Sequence, residues 1–228
     1  MVAYRIIQGK GLLERSYCPR CRRPIARYDL IPVISWIFLR GLCRSCKEPI
    51  SILYPFIEVL TAVLAVATYH HLDPHYWLAY GLFFSALIVV IRTDFETMLI
   101  SRYTTWCMIP VGSVLAALGA LPLTLQQSLL GACFGYVVLW IIARAFYAVR
   151  SIEGLGEGDL DLLAMIGSFT GILGAWTSLF IGSFFGAIIG LIVVFITKDR
   201  SRAIPFGPWL SLGAIIYVFT QKSLLLLL

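Results

Sequence analysis

Charge is scarce in this sequence. Its 228 residues include only 12 Asp and Glu, and charged residues make up 13% of the chain against 60% hydrophobic ones, with a mean hydropathy of +0.89. A soluble domain carries roughly 25% charged and about 45–50% apolar residues. A single soluble core could not bury this much apolar surface, so the chain is an integral membrane protein. Its apolar runs also lack alternation between two faces, which excludes a transmembrane β-barrel and leaves helices. Met1–Arg15 has no sustained apolar core of about 7–15 residues, so no cleavable signal peptide is expected there.

What remains is a polar, basic, cysteine-bearing segment over residues 1–51, followed by a membrane domain over 52–228. The expected fold is an all-α polytopic membrane protein with a small zinc-ribbon-like segment near the N-terminus. Seven candidate spans fall near 52–72, 75–93, 103–121, 127–149, 160–174, 176–197 and 205–221. Crossing about 30 Å of hydrocarbon takes roughly 17–25 residues. The fifth run is short and merges with the sixth around Gly171, so these two are expected to form a tight hairpin.

The net charge is +6. Nucleic acid and acidic partners are conceivable readings, but in a membrane protein basic residues mark the cytoplasmic side. With the N-terminal segment inside, every Lys and Arg except Lys222 falls on the inner side. The outer loops His70–Tyr76 and Leu121–Gln127 contain neither residue type. The zinc segment and the inner ends of the helices therefore face the cytoplasm.

Cys18 and Cys21, then Cys43 and Cys46, form two C-x2-C pairs separated by residues 22–42. Tetrahedral zinc needs four thiolates converging at about 2.3 Å, and each C-x2-C turn supplies two of them. The separation slightly exceeds the usual spacing of about 15–20, at little entropic cost. Disulfides are disfavoured in a reducing compartment. Nearby Arg20, Arg22, Arg23, Arg44 and Lys47 favour thiolate forms. No aromatic-rich basic face accompanies the cysteines, so nucleic acid is not the expected partner. Cys107 and Cys133 lie in apolar runs and read as small buried hydrophobes. His70, His71 and His75 with Asp73 read as a solvated outer loop rather than a metal site.

Two carboxylates stand where apolar runs meet polar loops. Asp94 closes the second run, and Asp159 follows the glycine-rich stretch containing Gly154, Gly156 and Gly158 and opens the fifth. Ionisable residues at membrane depth are costly and mark function by default. Gly156 and Gly158 are expected to permit positive φ and close backbone approach, presenting Asp159 at a helix start. The helix dipole favours the charged form at Asp159 and the neutral form at Asp94, which would sit at a helix C-terminus. A pair that shares one proton is the working state of an aspartic-protease dyad. The alternatives are a plain N-cap at Asp159 and a membrane-boundary residue at Asp94. Glu96 is expected to face the cytosol. Glu58, early in the first span, could snorkel, pair with a base of the cysteine segment or line the site. Asp161, two residues past Asp159, is expected to point away from it.

These features together resemble the prepilin peptidases, or type IV leader peptidases, a bacterial family of membrane aspartic proteases that are also N-methyltransferases. Residues 18–55 look like the family's tetracysteine loop, including Tyr28, Asp29, Pro32, Trp36 and Gly41, and Tyr54, Pro55 and Glu58 agree with the helix entry that follows it. Residues 94–100 match the segment bearing its first catalytic aspartate, and 154–159 match the G-x-G-D segment bearing the second. Residues 204–208 resemble a late family signature. The resemblance implies Asp94 and Asp159 as catalytic residues that activate water without an acyl-enzyme.

It further implies prepilin or pseudopilin substrates of type IV pilus or type II secretion systems, cut on the cytoplasmic side of the bacterial inner membrane. The tetracysteine segment implies structural zinc and retention of the methyltransferase activity, with S-adenosylmethionine as donor. The sequence contains no glycine-rich nucleotide loop of the soluble-methyltransferase kind, so no donor contacts are assigned. A peptidase-only enzyme and a non-catalytic assembly or transport protein on the same scaffold are the alternatives. Two features depart from the family. The family has an apolar helix ending near the position of Val2–Arg5, giving eight spans rather than seven. It also commonly carries Lys where this chain has Asp161.

Overall fold

The computed structural model describes residues 16–151, 154–198 and 204–225, and the readings made on Met1–Arg15 lie outside these. The chain divides into two compact units, Met1–Ala67 and Thr68–Leu228, with the boundary inside a helix.

The first unit is built from turns. Tyr17 pairs with Pro24 and Leu42 with Pro49 in two isolated antiparallel bridges, each closing a C-x2-C turn. Between them lie a 3-10 turn, Arg27–Leu30, and a short helix, α1 (Ile34–Phe38). The polar sequence then gives way to α2 (Leu53–His71).

In the second unit, a 3-10 turn at Pro74–Tyr76 leads into α3 (Trp77–Thr97), which ends on a left-handed Met98 whose N–H bonds the Asp94 carbonyl at 3.0 Å. Then come α4 (Arg102–Ala117), α5 (Leu125–Arg150), α6 (Glu157–Thr197) and α7 (Gly207–Leu225). Helix α5 starts on a reciprocal capping box between Thr124 and Gln127.

Among the described residues, four helices are long and apolar enough to cross a membrane: α2, α3 with its leading turn, α5 and α6. By length and composition the structure thus supports four spans rather than the expected seven. Helix α4 has only 16 residues, and the fifth and sixth runs merge into one 41-residue element. That element is broken at Gly171, whose φ of 71° and ψ of −173° are not helical. Such a conformation is open to glycine and almost closed to other residues.

The contacts on either side of the break run in opposite directions along α5. Before it, Gly167 backs onto Gly131 and Leu163 onto Gly135. After it, the Phe134 ring lies 6.1 Å from that of Trp176. The chain therefore turns back at Gly171. Close approach of α5 to the first limb needs the missing side chains at Gly131 and Gly167, as expected for helices packed without a hydrophobic drive. Ser128 secures the same seam, donating to the Ser168 carbonyl at 2.7 Å and lying 3.1 Å from the Ser113 hydroxyl of α4.

Helix α7 packs antiparallel to the second limb, with Gly213 against Ser178 and Gly182 against Leu210. It also lies antiparallel to α3. Gln221 donates to the Tyr80 hydroxyl at one end, and Gly207 meets Asp94 at the other. Phe84 stacks on Phe219 between the two helices, and Phe83 of α3 stacks on Phe169 of α6.

Candidate active site

Asp94 lies in the last turn of α3 and is 4% exposed. Its Oδ2 accepts a 2.9 Å hydrogen bond from the Gly207 N–H, at the start of α7. That amide is one of the donors a helix leaves unsatisfied at its N-terminus, so it suits a carboxylate. The fit depends on glycine: a methyl group at position 207 would stand 2.9 Å from Asp94 Oδ2 and 3.1 Å from Ile100 Cδ1.

Asp159 sits at the opposite kind of helix end. Gly156, with extended φ and ψ, is the N-cap of α6, and the Asp159 N–H bonds its carbonyl at 3.1 Å. Asp159 is thus the third residue of the helix and half-buried, not the cap. The expected positive φ does not occur at Gly156 or Gly158. What glycine supplies at 158 is close approach, because a methyl there would stand 2.8 Å from Ile100 Cβ.

Ile100 therefore touches both glycines, Gly158 beside Asp159 and Gly207 beside Asp94. Three chain segments far apart in sequence converge here: the end of α3 with its following loop, the start of α6 and the start of α7.

Around this centre, Arg102 of α4 donates from Nε to Asp161 Oδ2 at 3.2 Å and from a terminal nitrogen to Glu157 Oε2 at 3.0 Å. Asp161 is 2% exposed and faces α4. The role of Arg102 depends on partners 55 and 59 residues away in sequence, and its local signal is only that of a basic residue opening a helix. Arg92 is buried and pairs with Glu96 one turn on, at 2.6 Å. Glu96 is exposed and takes part in this ion pair. Glu58 Oε2 accepts the Val33 N–H at 2.7 Å, so its carboxylate is held by the backbone of the cysteine-bearing segment.

The cysteines converge as expected. The four Sγ atoms of Cys18, Cys21, Cys43 and Cys46 all lie within 4.8 Å of one another, with Cys18 and Cys46 at 3.8 Å. Tetrahedral ligands about 2.3 Å from zinc stand about 3.8 Å apart, so the donor set fits the metal. The two turns are built alike. Arg22 and Lys47 each follow a C-x2-C pair with positive φ, and each donates its N–H back to the first cysteine of its pair. Backbone N–H groups of Cys46 and Ser45 draw the Cys43 thiol down to about 7.

Cys107 and Cys133 do not behave as buried hydrophobes; both lie on exposed helix faces. In a bilayer such faces meet lipid, where a thiol is well tolerated. His75 lies 2.9 Å from the Gly119 carbonyl, and no histidine belongs to a metal-binding group among the described residues.

Residues 1–72 match the bacterial Peptidase A24 N-terminal domain, and residues 81–193 match the type IV leader peptidase family. The prepilin leader peptidase/N-methyltransferase of Aeromonas hydrophila is 35% identical over 93% of this chain and 74% of its own length. Those of Dichelobacter nodosus and Legionella pneumophila are 37% and 33% identical over 89% and 93% of the chain, and over 70% and 75% of their own lengths. No solved structure matches the chain. A membrane-helical body, a converging tetracysteine set and these extended likenesses establish that the chain belongs to the type IV leader peptidase family.

Proposed function

We propose that this chain cleaves the leader from prepilin-like substrates with Asp94 and Asp159 as its two catalytic carboxylates. One removes a proton from the attacking water and the other protonates the departing amine, so hydrolysis needs no covalent intermediate. The observation that carries the assignment is the juxtaposition at Ile100, which brings Gly158 and Gly207, and with them both aspartates, into one neighbourhood. Opposite helix ends then bias the two carboxylates differently, which suits a pair sharing one proton.

The freed amine is the substrate of the second activity, with S-adenosylmethionine as the donor that supplies the methyl group. Structural zinc on Cys18, Cys21, Cys43 and Cys46 would hold the residue 1–51 segment in shape. Substrates would be pilins or pseudopilins of type IV pilus or type II secretion systems.

The bilayer in this reading is the bacterial inner membrane, crossed seven times, with α4, both limbs of α6 and α7 counted as spans. Support for the count comes from the turn at Gly171, since an unbroken 41-residue helix would be about 60 Å long against a hydrocarbon core of about 30 Å. Both aspartates then lie at the cytoplasmic boundary. Co-expression with a prepilin, followed by mass spectrometry of the pilin N-terminus, reads cleavage and methylation together. Processed, methylated pilin supports the reading, and intact leader on every pilin overturns it.

A further inference from the structure

Between the two cysteine turns, the first unit displays apolar side chains that a water-exposed loop would not keep. Phe38 is 83% exposed, Ile37 and Tyr28 are each 62%, and Ile31 and Ile34 are about half exposed, all within eleven residues of sequence. Trp36 faces the other way. Its ring lies against Gly41 and its Nε1 donates to the Ile50 carbonyl at 3.1 Å, so the short α1 is pinned on one side and presents Ile37 and Phe38 on the other.

The position of this segment is set by a tether. Val33 adopts φ 60°, costly for a β-branched residue, and its N–H is held by Glu58 Oε2 at 2.7 Å. Glu58 lies in the second turn of α2, about 7–8 Å along the axis from Leu53. Helix α2 is apolar enough to cross the bilayer and leaves Phe56, Val59, Val63 and Val66 exposed, the face that lipid covers. The tether thus holds α1 level with the part of α2 that enters the membrane. Exposed Arg27 and Arg40 flank the segment, and the carboxylate between them, Asp29, is taken up by Arg44 through two hydrogen bonds of 2.8 and 2.7 Å. The rim is therefore net basic, complementary to an anionic headgroup layer.

We propose that residues 28–38 are a membrane-surface anchor, with Ile34, Ile37 and Phe38 entering the headgroup–acyl boundary of the leaflet where α2 begins. Amphipathic segments of this kind bury their apolar face about 5–10 Å into that boundary, a depth matched by the Glu58 tether. The anchor would keep the tetracysteine unit lying on the membrane rather than swinging free of it. This inference does not depend on the catalytic assignment.

A photoreactive benzophenone amino acid placed at Phe38, or at Ile34 as a second site, tests it in the full chain within phosphatidylethanolamine–phosphatidylglycerol nanodiscs. Val63 on the lipid-facing side of α2 serves as the positive control and Arg20 on the first cysteine turn as the negative one. Retained metal at the four cysteines reports that each variant is folded. The expected result is lipid adducts at 38 and 34 at a yield within about threefold of that at 63, and none at 20. Labelling at 38 and 34 as low as at 20, or adducts there with protein instead of lipid, overturns the anchor.

Discussion

The buried carboxylate of Asp161 lies 3.2 Å from Nε of Arg102, which also reaches Glu157 at 3.0 Å. One arginine at the start of α4 thus grips the first turn of α6 on both sides of Asp159. The resemblance to the peptidases gave lysine as the common residue at position 161. The aspartate here is offset by a base on the neighbouring helix.

Asp161→Lys should therefore face Arg102 with a like charge and reduce leader cleavage by about tenfold or more. Adding Arg102→Glu should restore part of it, because the bond to residue 161 is re-formed with its signs exchanged while the bond to Glu157 is lost. Coupling between groups in direct contact runs to about 0.5–3 kcal/mol. Equal cleavage by the single and double variants would show that the pair does not position the turn.

Asp94→Asn and Asp159→Asn should each abolish cleavage of a co-expressed prepilin while the protein stays in the membrane. General acid–base groups contribute about 10²–10⁴-fold each. An amide keeps the shape of the carboxylate and removes its proton chemistry, so retained processing by either variant would remove that residue from the dyad.

Gly207→Ala tests the support of Asp94 without replacing either carboxylate. The new methyl would stand 2.9 Å from Oδ2, closer than a carbon and an oxygen tolerate. Displacing a catalytic group by about 1 Å costs on the order of 100-fold. Cleavage should fall by about that factor with insertion unchanged, measured as the rate of prepilin processing in membranes.

Metal analysis of purified protein should give about one zinc per chain, lost on replacing any of Cys18, Cys21, Cys43 or Cys46 by serine. Cys107→Ser and Cys133→Ser should leave the metal content unchanged, since both side chains lie on exposed helix faces. Zinc-free protein that remains folded would defeat the tetracysteine assignment.

Gly171→Ala should destabilise the membrane domain by about 1–3 kcal/mol, the cost of holding a side chain in this backbone region. The loss would appear as a lower midpoint of thermal unfolding in detergent. An unchanged midpoint would mean that the turn between the limbs does not depend on this conformation.

The membrane class and the convergence of the cysteine set were legible in the sequence, and the two aspartates stood out in it, because each rests on local pattern. Apolar runs long enough to reach across hydrocarbon, two C-x2-C turns and carboxylates at run boundaries need no knowledge of tertiary neighbours. The fifth and sixth runs were ambiguous because one glycine separates them, and only its backbone angles reveal a turn in a continuous apolar stretch. The roles of Gly158 and Gly207 were not legible either: both depend on Ile100, a side chain whose neighbours along the chain give no hint of them. Arg102, Glu58 and the exposed face of α1 likewise acquire meaning only from partners or surroundings remote in sequence. Composition alone determined the solvent in which this chain folds and the residue types available for its chemistry. Which helix ends meet was decided by tertiary packing, because pairing an α3 terminus with those of α6 and α7 requires helices to cross and glycines to admit them, and periodicity in one dimension carries neither.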